Sequence, residues 1–222
     1  MPDVSTLFLS IAIWAVPVVL AITLHEAAHG YVARMFGDPT AWEMGRVSIN
    51  PLRHVDPVGT ILLPGFIVLT NVMTGAHFPP FGWAKPVPVN FGRLRHPKRD
   101  MLWVAAAGPA TNLAQAFVWA LIAGLISRFM FDAQQSFVFA MALSGVMVNL
   151  ALMLLNLIPI PPLDGGRIMV SLLPVPLALQ LMKLERYGFF ILIGLLYFGV
   201  LDKLLWPLLE PISNLLFFLT GS

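Results

Sequence analysis

Long apolar stretches separated by short polar ones set the plan of this chain. Between Asp3 and Arg34 the only formally charged residue is Glu26, and the run from Thr6 to about Phe36 predicts one tilted spanning helix, ended by Gly37-Asp38-Pro39. Ala41 to Pro57 is mixed and polar and reads as an interfacial loop with short strand-like pieces. Val58 to Met73 is apolar again but short and interrupted by Pro64-Gly65, which predicts a weak span or a segment that dips into the membrane and returns. Pro79 to Asn90 holds too many prolines for a helix and alternates like an edge strand. Two further apolar runs, Met101 to about Ile126 and Phe137 to Ile158, predict spanning helices, and the second leads into Pro159-Ile160-Pro161-Pro162-Leu163-Asp164. The last apolar region, about Phe189 to Leu219, carries Asp202, Lys203, Pro207, Glu210 and Pro211 and predicts one span plus a shorter helix.

This pattern predicts an all-α polytopic membrane protein with about four to six transmembrane helices. A membrane-associated re-entrant or β-hairpin segment is expected between the first and second core helices. One domain is expected over residues 1–222, with its core at 6–170 and C-terminal helices at 187–219.

Composition narrows the function classes. Of 222 residues, 58% are hydrophobic and 11% charged, against about 25% charged in soluble domains, and the mean hydropathy is +0.83. A soluble enzyme is excluded, and the expected surroundings are a lipid bilayer. Thirteen Lys and Arg against eleven Asp and Glu give no nucleic-acid footprint. The absence of cysteine removes disulfides, thiolate-bound zinc, iron–sulfur clusters and a cysteine nucleophile. The first basic residue is Arg34, so the first apolar segment lacks the n-region of a signal peptide and is expected to stay in the mature protein. Lys85, Arg93, Arg95, Lys98 and Arg99, and later Arg167, Lys183 and Arg186, mark two cytoplasmic loops. With the first helix also ending inside, the N-terminus lies outside and residues 58–84 return to the side they left.

His25-Glu26-Ala27-Ala28-His29 is an H-E-x-x-H sequence. In a helix its two histidines share one face, close enough to bind one zinc ion, with Glu26 beside it as general base. Three ionisable residues within five positions of an apolar helix are hard to retain without a metal or a polar cavity. A catalytic zinc takes three protein ligands. Candidates for the third are His54, His77, His96 and the carboxylates, among which Asp164 stands out as a lone acid after a long uncharged stretch, on a Pro- and Gly-broken backbone.

The H-E-x-x-H in the first helix and the segment Asn156, Pro159, Pro161, Pro162, Leu163, Asp164 and Gly165 in a later one resemble the site-2 protease family of intramembrane zinc metalloproteases. The stretches Asn50 to Pro57, Gly82 to Val89 and Ala107 to Asn112 are similar to its compact bacterial members. The resemblance implies one Zn2+ per chain held by His25, His29 and Asp164, water activated by Glu26, and Asn156 near the scissile carbonyl. It further implies a transmembrane-protein substrate and the cytoplasmic membrane of a prokaryote as location, and neither a PDZ-like nor a nucleotide-sensing module is expected. Asn112 reads as an interhelical hydrogen bond and His54 as an exposed loop residue. The segment Lys85 to Asn90 is expected to pair with an unwound substrate by strand addition. The alternative function is a membrane zinc or proton transporter using His25, His29 and Asp164 as an ion site.

Overall fold

The structure is a computed structural model and describes residues 4–74, 82, 84–130, 132 and 136–221. In chain order its helices are α1 (Val4–Met35), α2 (Thr40–Glu43), α3 (Leu63–Thr74), α4 (Pro97–Phe129), α5 (Phe137–Asn156), α6 (Asp164–Leu172), α7 (Val175–Met182), α8 (Glu185–Tyr197) and α9 (Val200–Thr220). Among the described residues α1, α4 and α5 are long and apolar enough to cross a membrane. The pair α8 and α9, bent by 78°, makes a fourth span if counted as one. The chain is therefore an all-α, multi-pass membrane protein, at the lower end of the expected helix number. α3 has 12 residues and reaches about 18 Å, short of a hydrocarbon core of about 30 Å.

No strand occurs among the described residues, so the β-hairpin alternative is not seen there. The polar loop forms α2 and a 3-10 turn at Pro51–Arg53 instead of strand-like pieces. Residues 75–81 and 83, on which part of the re-entrant expectation and the candidate ligand His77 fall, lie outside the described residues. The basic stretch after Asp164 is also more ordered than its composition suggests, because it folds into α6 and α7.

α4 is the central post and packs on α1, α5, α6 and α9. The reason is visible in its sequence: Asp100, Val104, Gly108, Asn112, Ala116, Ala120 and Gly124 recur every four residues and are all buried. Positions four apart share a helix face, and small residues on it let neighbouring backbones approach closely, which is how helices gain contact when lipid offers no hydrophobic drive. Ala116 and Ala120 of this stripe meet Val146, Leu150, Met153 and Leu154 of α5 and Leu209 and Leu216 of α9 in the main apolar core.

The helix ends that matter for the site are built from local chemistry. α1 stops because Gly37, at φ +106°, turns the chain into the left-handed region. The Asp38 N–H then closes back on the Ala33 carbonyl at 2.9 Å, as a glycine-terminated helix requires. α4 starts on Pro97, which needs no N–H partner there, and the buried Asp100 carboxylate accepts the His96 N–H at 2.7 Å. The Arg95 N–H donates to Phe36 O, so the end of α1 and the start of α4 are tied together.

α8 rests on the turn before α6. A Cβ on Gly188 would lie 1.9 Å from Pro161 O. Gly188→Ala is expected to push α8 off this turn at a cost of about 1–3 kcal/mol of overpacking, read as a lower unfolding midpoint in detergent. An unchanged midpoint would show that α8 is not seated there.

Candidate metal centre

α1 carries His25 and His29 one turn apart on its buried face. Their Nε2 atoms lie 3.1 Å from each other. Asp164, the first residue of α6, brings its Oδ2 to 3.2 Å from His25 Nε2 and 3.3 Å from His29 Nε2. Among the described residues these are the three His, Asp or Glu side chains that converge closely enough to hold one ion. His54 does not join them: it is buried rather than exposed, and its Nε2–H donates to Ser48 O at 2.8 Å. His96 is the exposed residue preceding α4.

Asp164 reaches α1 because the chain reverses tightly after α5. Gly165 and Gly166 sit where a Cβ would be 2.2 Å from Leu157 O and from Pro161 N, so only glycine lets the first turn of α6 nest on the preceding backbone. Both glycines are helical; they supply space, not a left-handed turn. The histidine rings are aimed from behind by α4. The His29 Nδ1–H donates to Val104 O at 2.7 Å, and His25 Nδ1 lies 2.6 Å from Asn112 Oδ1. Outer partners of this kind fix ring orientation in metal sites. Between those two anchors on α4 stands Gly108, where a Cβ would come within 2.5 Å of His29 Nε2 and 2.6 Å of His25 Nε2.

The donor set fits a zinc ion. Four-coordinate zinc with ligand bonds of about 2.0–2.1 Å holds its donor atoms about 3.3 Å apart, close to the spacing of the three side chains. Asp164 Oδ2 is buried without a hydrogen bond, an unfavourable state that a cation relieves. Two imidazole nitrogens and one carboxylate oxygen also form a usual zinc set.

Glu26 lies beside this group on the half-buried side of α1, and its Oε2 accepts the Val87 N–H at 2.8 Å. Val87 belongs to an extended strap, residues 84–90, pinned along its length. The Lys85 N–H donates to His54 O, the Arg46 guanidinium to Lys85 O at 2.8 Å, and the Asn90 N–H to Asp38 Oδ2 at 2.6 Å. The expected strand addition finds little to use here. Pro86 and Pro88 have no N–H, and those of Lys85, Val87 and Asn90 are already spent inside the protein. Asn156 is half-buried at the end of α5, and its side chain donates to Leu152 O at 3.0 Å, one turn back on its own helix.

Gly108→Ala is expected to fill the space between the histidines and weaken zinc binding at least about tenfold, the scale of a disturbed support of metal ligands. Chelator competition on the purified protein reads this directly. An affinity equal to wild type would place the ion elsewhere.

The sequence model of peptidase family M50 matches residues 13–195. "Putative zinc metalloprotease YwhC" of Bacillus subtilis is 35% identical over 200 residues, which are 88% of this chain and 84% of that protein. "Putative zinc metalloprotease Rip2" of Mycolicibacterium smegmatis is 32% identical over 200 residues, 90% of this chain and 71% of that protein. Rip2 of Mycobacterium tuberculosis H37Rv is 31% identical over 148 residues, 66% of this chain and 51% of that protein. No solved structure matches significantly. A family match across most of the chain, over the same helices that assemble the histidines and the aspartate, makes this protein a metalloprotease belonging to peptidase family M50, the site-2 protease family.

Proposed function

We propose that this chain is an intramembrane zinc metalloprotease that hydrolyses peptide bonds within or near transmembrane segments of membrane proteins in the cell membrane. Residues 1–222 act as one membrane-embedded domain, holding one zinc ion per chain through His25, His29 and Asp164, with Glu26 as general base. The observation that supports this most is the convergence of three zinc-type donors within 3.3 Å, with a carboxylate on the adjacent residue.

When bound, zinc supplies Lewis acidity, polarising a carbonyl and making water a better acid. The chain's own residues do the rest. Glu26 Oε2 is held by the Val87 N–H, which leaves Oε1 to take a proton from the attacking water. Asn156 uses one amide hydrogen on Leu152 O and has the second for the oxyanion of a substrate carbonyl. His25 lies nine residues before Arg34, about 14 Å along the helix, so water enters from the end of α1 that carries Arg34. A substrate helix must unwind here, since its own hydrogen bonds shield the scissile carbonyl.

Glu26→Gln is expected to lower cleavage of a detergent-solubilised single-span model protein by about 10²–10⁴-fold while zinc per chain stays at the wild-type value. Undiminished cleavage overturns the assignment of the base. Zinc flux into proteoliposomes that survives the substitution, with no cleavage by wild type, would favour a transporter. Val87→Pro removes the N–H on Glu26 between two prolines that keep the strap extended. It is expected to lower turnover about tenfold with zinc retained, a loss on the scale of one hydrogen bond to a charged group; Val87→Ala, which keeps the N–H, should stay near wild type.

A further inference from the structure

Asn112 and Asn149 are completely buried, on α4 and α5, and the contacts around them fix the direction of every hydrogen bond they make. The Gly145 carbonyl can only accept. It lies 2.9 Å from the Asn149 side-chain nitrogen, so Asn149 turns its NH2 towards Gly145 and its oxygen the other way. That oxygen is 2.9 Å from the Asn112 nitrogen, which also donates to Ala21 O on α1 at 3.2 Å. Both Asn112 hydrogens are thereby committed to atoms that can only accept, and its Oδ1 is what faces His25 Nδ1. An amide oxygen has no hydrogen, so the proton of this contact sits on His25 Nδ1. A neutral imidazole carries one N–H, which leaves the His25 Nε2 lone pair facing His29 Nε2 and Asp164 Oδ2.

Amide orientation is ordinarily open to a flip. Here a flipped Asn112 would set its oxygen against Ala21 O and Asn149 Oδ1, and flipping both amides would set the Asn149 oxygen against Gly145 O. His29 needs no such device, because the Val104 backbone carbonyl decides its tautomer in one step.

We propose that Asn149, acting through Asn112, is a positioning residue for metal binding: the pair holds His25 in the Nδ1–H tautomer with Nε2 free for the ion. Asn149 touches neither His25 nor the ion and works only by forbidding the amide flip that would present an N–H to His25 Nδ1. The proposal rests on the reading of His25 as a zinc ligand.

The test uses the full chain in detergent, zinc ion as the only probe, and 15N-histidine spectra of the metal-free protein. In wild type, the His25 signals, identified by their loss in His25→Ala, should show the Nδ1–H form. Asn149→Leu should shift them towards the Nε2–H form and weaken zinc binding about tenfold to a hundredfold. Leu150→Ala, a cavity in the same buried turn of α5, should lower thermal stability and leave both readings in place. Wild-type His25 in the Nε2–H form overturns the proposal without any variant, which also covers an Asn149→Leu protein that fails to fold. So does Asn149→Leu with wild-type tautomer and affinity while His25→Ala loses zinc. If His25→Ala binds zinc normally, the ligand reading fails instead, and the spectra still decide the tautomer.

Discussion

Three acceptor atoms held within 3.3 Å of one another, in a part of the protein that water barely reaches, are the constraint on which the rest of this structure depends. Two imidazole lone pairs and a carboxylate oxygen repel when nothing positive lies among them, and burial strengthens the repulsion by lowering the dielectric. A fold that retains them must hold them against that repulsion until an ion removes it. The surrounding features do so. α4 grips both rings from behind, Gly108 keeps the space between them open, and the glycines at 165 and 166 press α6 onto the turn that presents Asp164.

The same economy governs the polar groups around the centre. Asp38 and Asp100 are wholly buried, and both are spent on backbone N–H groups: Asp38 on Thr40 and Asn90, Asp100 on His96. Each carboxylate sits where a helix begins or ends and fixes the end of α1 or the start of α4. Glu26 follows the same rule through Val87, but it differs in one respect. It is held through one oxygen, Oε2, where Asp38 is held through both.

Much of this was legible in the residues. The four-residue spacing of His25 and His29 forces a common face on any helix, and the isolation of Asp164 in uncharged sequence marks it as a residue kept for a reason. Helix boundaries at 137–156 follow from apolar run length and the prolines after it. What stayed hidden has physical causes. Val104 contributes through its carbonyl, which no side chain signals. Asn112 looks the same in sequence whether it joins two helices or aims a histidine, and the difference lies in which of its ends faces which helix, a tertiary fact. His54 appeared exposed because its neighbours are polar, whereas the strap covers it and its own carbonyl receives the Lys85 N–H. The strap itself reads as an edge strand by alternation, yet edge strands pair through N–H groups. Prolines remove two of these and internal partners take others.

The three donors come from α1 and α6, with Asp164 lying 135 positions after His29 and 139 after His25, so closing the site means closing most of the fold. With these three as the proposed ligands, such a division ties ion affinity to tertiary structure: any arrangement that separates α6 from α1 keeps two histidines and loses the carboxylate. By linkage, an ion at a hundred times its dissociation constant stabilises the closed arrangement by about 2.7 kcal/mol, a large share of the margin by which a domain exceeds its unfolded state. Since Asp164 stands on a turn that also carries α8 through Gly188, the C-terminal helices share in that stabilisation although none of their residues touches the ion site. α8 is thus joined to the turn that presents Asp164 by packing alone.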